Sequence, residues 1–179
     1  MSGHGVPSHA SSADQKKIGI IISVIAVLVA VSGAFARNEA NKMIVKEVQA
    51  SNGFAWYQSK RQRSHLNELE LNRIEVQLAG EVTPAQRAVL EKTQAKLTAK
   101  NQEYDTENKE ILAKAEAEKR VAEVASHRHH RFEYAEVLLH TAIVLCSLSL
   151  LTESKLFFKI GLGATAIGLV LTVLAMLSH

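Results

Sequence analysis

Residues 18–36 read IGIIISVIAVLVAVSGAFA, an apolar run without a single charge. A helix crossing the ~30 Å hydrocarbon core of a bilayer needs about 20 apolar residues, so this run is just long enough. Lys16 and Lys17 precede it and Arg37 follows it. The alternative reading is a secretory signal, with Lys16-Lys17 as the charged region and Ala34-Phe35-Ala36 as an A-x-A cleavage site. The 15-residue upstream stretch, rich in Ser, Gly and His, and the length of the apolar run favour a membrane helix. Residues 1–17 are expected to form a disordered tail.

Two more apolar blocks lie at the other end. Residues 134–151 read YAEVLLHTAIVLCSLSLL, interrupted by Glu136 and His140. A short polar turn, Thr152-Glu153-Ser154-Lys155, leads into the block 156–177. Backbone groups in lipid must be satisfied within the segment, so all three blocks are expected to be transmembrane helices, the last two as a tight pair.

The residues between are of a different kind. Segment 37–133 carries 17 Lys/Arg against 15 Asp/Glu and is dominated by Ala, Glu, Lys, Gln and Leu, which favour helix. Its one strong break is Gly80-Glu81-Val82-Thr83-Pro84. Thr83 suits an N-cap, Pro84 suits the first helical position, and Gln86 completes a capping box. Ser51-Asn52-Gly53 is a weaker interruption, where a bend or local fray is expected. The segment therefore reads as two long helices, 37–79 and 84–133, of about 65 and 75 Å at 1.5 Å per residue. Near-equal lengths let both reach the same membrane face. Leu90, Leu97, Tyr104 and Ile111 recur every seven residues, with Gln94, Asn101, Asn108 and Ala115 as companions. The mixture of apolar and polar residues predicts a narrow, coiled-coil-like seam. Leu66, Leu69, Leu71, Ile74, Val76 and Leu78 supply a wider stripe near the turn. The fold class expected is thus all-α and integral to the membrane: three transmembrane helices, with a long antiparallel helical hairpin between the first and second, turning near 80–84.

Whole-chain averages conceal this segregation. The 179 residues are 47% hydrophobic and 22% charged, with a net charge of +3 and a mean hydropathy of +0.01. One cysteine excludes an intrachain disulfide framework and a multi-cysteine zinc site. Phosphate-cradling glycine loops, nucleophile–base pairings and zinc motifs are not found in the sequence, so neither catalysis nor a bound cofactor is expected. Lys60, Arg61 and Arg63 follow aromatic residues, but nearly equal acids surround them. They read as a solvated face rather than a nucleic-acid surface.

Trp56-Tyr57-Gln58-x-Lys60 downstream of an N-terminal membrane helix, His129-His130-Arg131-Phe132 leading into the second apolar block, and a short Leu-Thr turn before the third together resemble the bacterial family of small membrane proteins catalogued as domain of unknown function 4337. The resemblance covers most of the chain from Ile18 onward. It implies three membrane helices and a helical middle, and carries no activity with it.

Four groups remain as candidates for function. Phe54, Trp56 and Tyr57 lie well beyond the first membrane helix, either as a contact site for a partner or packed against the returning helix near Ala113–Ala117. His127-Arg128-His129-His130-Arg131 reads as a juxtamembrane collar meeting lipid phosphates. His127 and His130, with Glu123, are weak metal candidates within it. Glu136 and His140, one turn apart inside the second apolar block, are either an ion- or proton-responsive pair or packing. Small residues line the first membrane helix (Ser23, Ala26, Ala30, Gly33) and the third (Gly161, Ala164, Gly168, Thr172, Ala175), which suits close helix approach. The leading expectation is a multi-pass protein of the bacterial inner membrane that presents a helical hairpin to a protein partner or another copy of itself. An ion- or pH-responsive membrane protein using Glu136, His140 and the His127–His130 collar is the alternative. The short segments carrying Lys16, Lys17, Lys155 and Lys159 weigh slightly towards an extracytoplasmic middle.

Overall fold

The computed structural model describes residues 13–178, and within these it is all-helical: α1 (Ala13–Leu78), α2 (Pro84–Thr152) and α3 (Lys155–Leu177). All three are long and apolar enough to cross a membrane, consistent with a multi-pass membrane protein. Residues 1–12 of the expected tail lie outside the described residues. Residues 13–17, read from the sequence as the end of that tail, are instead the first turn of α1. Gln15, Lys16 and Lys17 are good helix formers that propagate a helix already nucleated by the apolar run.

The turn between α1 and α2 follows from its capping chemistry. Thr83 N donates to Gln86 Oε1 at 3.0 Å, and Gln86 N donates to Thr83 Oγ1 at 3.3 Å. This reciprocal pair satisfies amides that the first helical turn leaves without partners. Between α2 and α3 only Glu153 and Ser154 are non-helical. Glu153 takes φ 55°, and the Ser149 hydroxyl donates to the Ser154 carbonyl at 3.0 Å.

The described residues form two compact units. One joins residues 13–42 with 124–178; the other is Met43–Glu123. In the first, Ile25, Val29, Leu139, Ala142 and Cys146 make a buried cluster, and Ala36, Phe132 and Ala175 a second. The buried positions on α2 (Ala135, Leu139, Ala142, Cys146, Ser149) alternate spacings of three and four. So do Gly161, Thr165, Gly168 and Ala175 on α3, when half-buried Thr172 is included. Glycine matters here. A Cβ at Gly161 would stand 2.7 Å from Cys146 Sγ and 3.2 Å from the Ala142 carbonyl oxygen. One at Gly168 would stand 3.2 Å from the Ala135 carbonyl oxygen. In a bilayer, whose tails are as apolar as leucine, such close backbone approach would supply the contact that water expulsion cannot. On α1 the packed face is Ile25, Val29, Ser32 and Ala36, joined by Gly33, whereas Ser23, Ala26 and Ala30 are exposed.

In the second unit the buried or half-buried residues of α1 include Ala50, Gly53, Tyr57, Lys60, Ser64, Asn67, Leu71 and Ile74. On α2 they include Leu90, Gln94, Leu97, Asn101, Tyr104, Asn108, Ile111 and Ala115. Both series alternate threes and fours. Contacts between them join Lys46 Nζ to Glu118 Oε2 at 2.7 Å, Lys60 to Glu107, and Asn67 Nδ2 to Asn101 Oδ1 at 3.0 Å. The helix does not fray at Ser51-Asn52-Gly53; α1 runs through it unbroken. The reason is packing: a Cβ at Gly53 would lie 2.8 Å from the Ala115 Cβ. Gly53 is the point at which α2 comes close.

Candidate functional site

The turns of α2 just before its apolar block place a dense set of polar groups beside α1 and the end of α3. The sequence HRHHRFE, residues 127–133, is continuous helix, so successive side chains fan by 100° and the collar divides into two faces. His127, His130 and Arg131 are exposed, while Arg128 and His129 turn inward.

Arg128 makes a fork. Its Nε donates to the Ser178 carbonyl oxygen at 2.6 Å, and its Nη2 donates to the same oxygen. Its Nη1 lies 3.6 Å from Glu39 Oε1, with both side chains mostly buried. One α2 residue thus holds the chain at the end of α3 and a carboxylate of α1. Guanidinium geometry permits this multiple attachment where a lysine ammonium would not. The sequence assigned Arg128 to a lipid-facing collar; its side chain is used within the fold instead. The aid it gives depends on Ser178, fifty residues away, which no local pattern signals.

His129 Nδ1 lies 3.0 Å from the Ala36 carbonyl oxygen, and its Nε2 lies 3.3 Å from Glu133 Oε1. His130 Nδ1 lies 3.1 Å from Glu133 Oε2. The two rings are tilted 39° to each other with centroids 5.5 Å apart. Among the described residues, the one group of three potential metal ligands with donor atoms mutually within 4.8 Å is His129, His130 and Glu133. His127 and Glu123, paired with His130 in the sequence reading, do not belong to it. Glu123 and His130 are seven residues apart, about 10 Å along a helix axis, whereas Glu133 is one turn from both histidines. Beneath this group Phe132 stacks on Phe35 with centroids 5.6 Å apart, and Ser32 Oγ approaches the Phe132 carbonyl oxygen at 3.5 Å.

One turn further on, Glu136 Oε1 is 3.7 Å from His140 Nε2. The Glu136 carboxylate lies over Gly33: a Cβ there would meet Oε1 at 2.9 Å and Arg37 Nη1 at 3.3 Å. His140 itself is 60% exposed.

In the second unit, Phe54 and Tyr57 are half-buried and Trp56 is 56% exposed. Trp56 lines a cleft of about 520 Å³ with Gln49, Asn52, Gly53, Ile111, Lys114, Ala115 and Glu118. Lys60 Nζ sits 5.8 Å from the Trp56 ring centroid and 5.5 Å from that of Tyr104, and pairs with Glu107. Its side chain is only 14% exposed. The expected solvated basic face therefore keeps Arg61 and Arg63 but loses Lys60, whose stem occupies a seam position and whose ammonium is held by two rings and a carboxylate.

These features define an all-helical protein with three helices able to cross a membrane and a polar cluster at the start of the apolar part of α2. The chain belongs to the family described as Domain of unknown function (DUF4337), whose model matches residues 14–178. No curated protein and no solved structure matches it.

Proposed function

We propose that the chain is a membrane-anchored interaction protein. Its three apolar helical segments sit in the bacterial inner membrane, and the charged segment between the first two is an antiparallel, coiled-coil-like helical hairpin that engages a protein partner or a second copy of the chain. The contacts Lys46–Glu118, Lys60–Glu107 and Asn67–Asn101 support the hairpin. The observation that carries the interaction reading is a second face of α1. Val45, Val48, Leu66, Leu69 and Val76 are each at least half exposed, and they form two groups in one register: Val45 and Val48 three apart, then, three heptads on, Leu66 and Leu69 three apart with Val76 seven further, with Asn52, Ala55, Ser59 and Gln62 between the groups. Trp56 is exposed beside that face. Apolar side chains repeated at seam spacing outside an existing seam are what a further helix would cover. The role is binding rather than catalysis, without a cofactor or nucleic acid.

The test is the mass of the full chain extracted in mild detergent. The expected result is an oligomer or a stoichiometric complex with a co-purifying protein. A monodisperse monomer with no companion overturns the reading. Cys146, the one cysteine, is buried, so Val76→Cys offers a clean site for disulfide cross-linking between copies. The same variant tests orientation. The lysines flanking the short segments weigh towards an extracytoplasmic hairpin, and labelling by an impermeant thiol reagent only after lysis would overturn that orientation.

A second reading rests on the Glu136–His140 pair, which lies within an apolar helical segment at 3.7 Å. Ionisable groups at such positions commonly serve ion or proton responses. In this reading Glu136→Gln alters pH- or ion-dependent flux in liposomes while the helical content is retained; unchanged flux and pH response for Glu136→Gln and His140→Ala would reduce the pair to packing.

A further inference from the structure

Each oxygen of the Glu133 carboxylate is faced by an imidazole nitrogen, His129 Nε2 at 3.3 Å and His130 Nδ1 at 3.1 Å. The remaining nitrogen of His129 fixes what its Nε2 can be. Nδ1 lies 3.0 Å from the Ala36 carbonyl oxygen. A carbonyl has no hydrogen to give, so Nδ1 is the donor, and in the neutral ring Nε2 presents a lone pair. That lone pair points at a carboxylate. Two acceptors at this distance repel one another unless a cation stands between them, either a proton on the ring or a metal ion. An imidazole whose outer nitrogen donates to a backbone carbonyl is also how metal-binding histidines are oriented. Around a tetrahedral Zn²⁺ with bonds of about 2.0–2.1 Å, adjacent donors stand about 3.3 Å apart. Each histidine nitrogen stands close to that distance from its own oxygen of the Glu133 carboxylate, and one donor atom from each of the three residues lies within 4.8 Å of the others.

We propose that His129 Nε2, His130 Nδ1 and the Glu133 carboxylate bind a divalent transition-metal ion of the Zn²⁺ class. The inference does not rest on the interaction reading above. Two imidazoles and one carboxylate select borderline metals such as Zn²⁺ over Mg²⁺ and Ca²⁺, which prefer all-oxygen sets. His130 and Glu133 are about half exposed, so water completes the coordination and the ion exchanges with solvent. Through the Ala36 link the ion also fixes His129 against α1, tightening the α1–α2 contact at Phe35 and Phe132.

The test uses the full chain in detergent, stripped with a chelator and titrated with Zn²⁺ by calorimetry, with Co²⁺ absorption as a second readout. The expected result is one Zn²⁺ per chain, displacing Co²⁺ and unaffected by excess Mg²⁺. Glu133→Gln and His130→Ala each weaken binding by at least about tenfold, and both alter exposed side chains, so helical content is retained. His127→Ala, one turn away and outside the group, leaves affinity unchanged. Equal affinity in the native chain and both ligand variants, an equal loss in His127→Ala, or no saturable binding would overturn the proposal.

Discussion

Arg128 separates the effect of charge from that of shape. Its fork holds the Ser178 carbonyl oxygen while the same guanidinium lies against the mostly buried Glu39, whose Oε2 is inaccessible and has no hydrogen-bond partner of its own. Removing the guanidinium strands the Glu39 carboxylate. Arg128→Ala should therefore lower stability by about 3 kcal/mol, in the range for breaking a buried pair. Arg128→Lys should recover less than half of that loss, because a point charge cannot serve both partners; thermal unfolding in detergent, followed by circular dichroism, measures both. Asn108 is the opposite case. It is 6% exposed at a seam position, and its Oδ1 has no hydrogen-bond partner. Asn108→Leu should raise stability by about 1–2 kcal/mol, the cost of an unsatisfied buried polar group. An unchanged or lower unfolding temperature would mean that the amide fixes the pairing register. Lys100 shows how little an exposed pair can do. Its hydrogen bond to the Glu103 carboxylate, at 2.6 Å, holds its ammonium above the ordinary lysine value of 10.5. That contribution is present throughout neutral pH and is lost only as pH rises through the raised value, so it gives stability no pH dependence near pH 7.

At the scale of elements, one glycine-dependent contact and one turn show what close helix approach requires. Gly53→Ala gains about 1 kcal/mol in helix propensity, yet drives its Cβ to 2.8 Å from a Cβ that has no rotamer to move. Overpacking of this kind costs about 1–3 kcal/mol, so the single variant should unfold at lower temperature. Adding Ala115→Gly should restore the native value by moving the methyl across the contact. Failure of the double variant to recover would remove close approach as the reason for the glycine. At the α2–α3 turn, Glu153 adopts φ 55°, a conformation that costs an L-residue about 1–2 kcal/mol. Glu153→Gly should stabilise the described fold by about 1 kcal/mol. Sequence reading succeeds for local signals and stops at contacts between helices. The capping box at Thr83 and Gln86 and the series Leu90, Leu97, Tyr104 and Ile111 were legible because their signals lie within a few turns of one chain. Gly53 read as a weak point, since its meaning depends on Ala115 in another helix. The packed face of α1 was hidden for a different reason: in an apolar run every face is apolar, so Ile25, Val29 and Ser32 look no more buried than Ser23, Ala26 and Ala30. In the sequence His127 and His130 stand out because they share a face, whereas the grouping of His129 and His130 with Glu133 depends on side-chain conformations that helix periodicity alone does not specify.

Across the whole molecule, few described residues lie outside helix: 79–83, 153–154 and 178. Limited proteolysis of the detergent-extracted chain should therefore cut first at 79–83, giving two fragments that remain associated until denatured. The partners in the α1–α2 contacts also differ widely in sequence separation. Asn67 and Asn101 are 34 residues apart, His129 and Ala36 93, and Ser32 and Phe132 100. Closing a loop costs entropy that grows with its length, so the distant pairs are expensive to form first and cheap to form last. The Thr83–Gln86 box then acts as a folding nucleus, from which pairing proceeds outward like a zipper, each new contact shortening the loop that the next must close. On this account Thr83→Ala slows refolding, whereas loss of the Arg128 fork leaves refolding untouched and hastens unfolding.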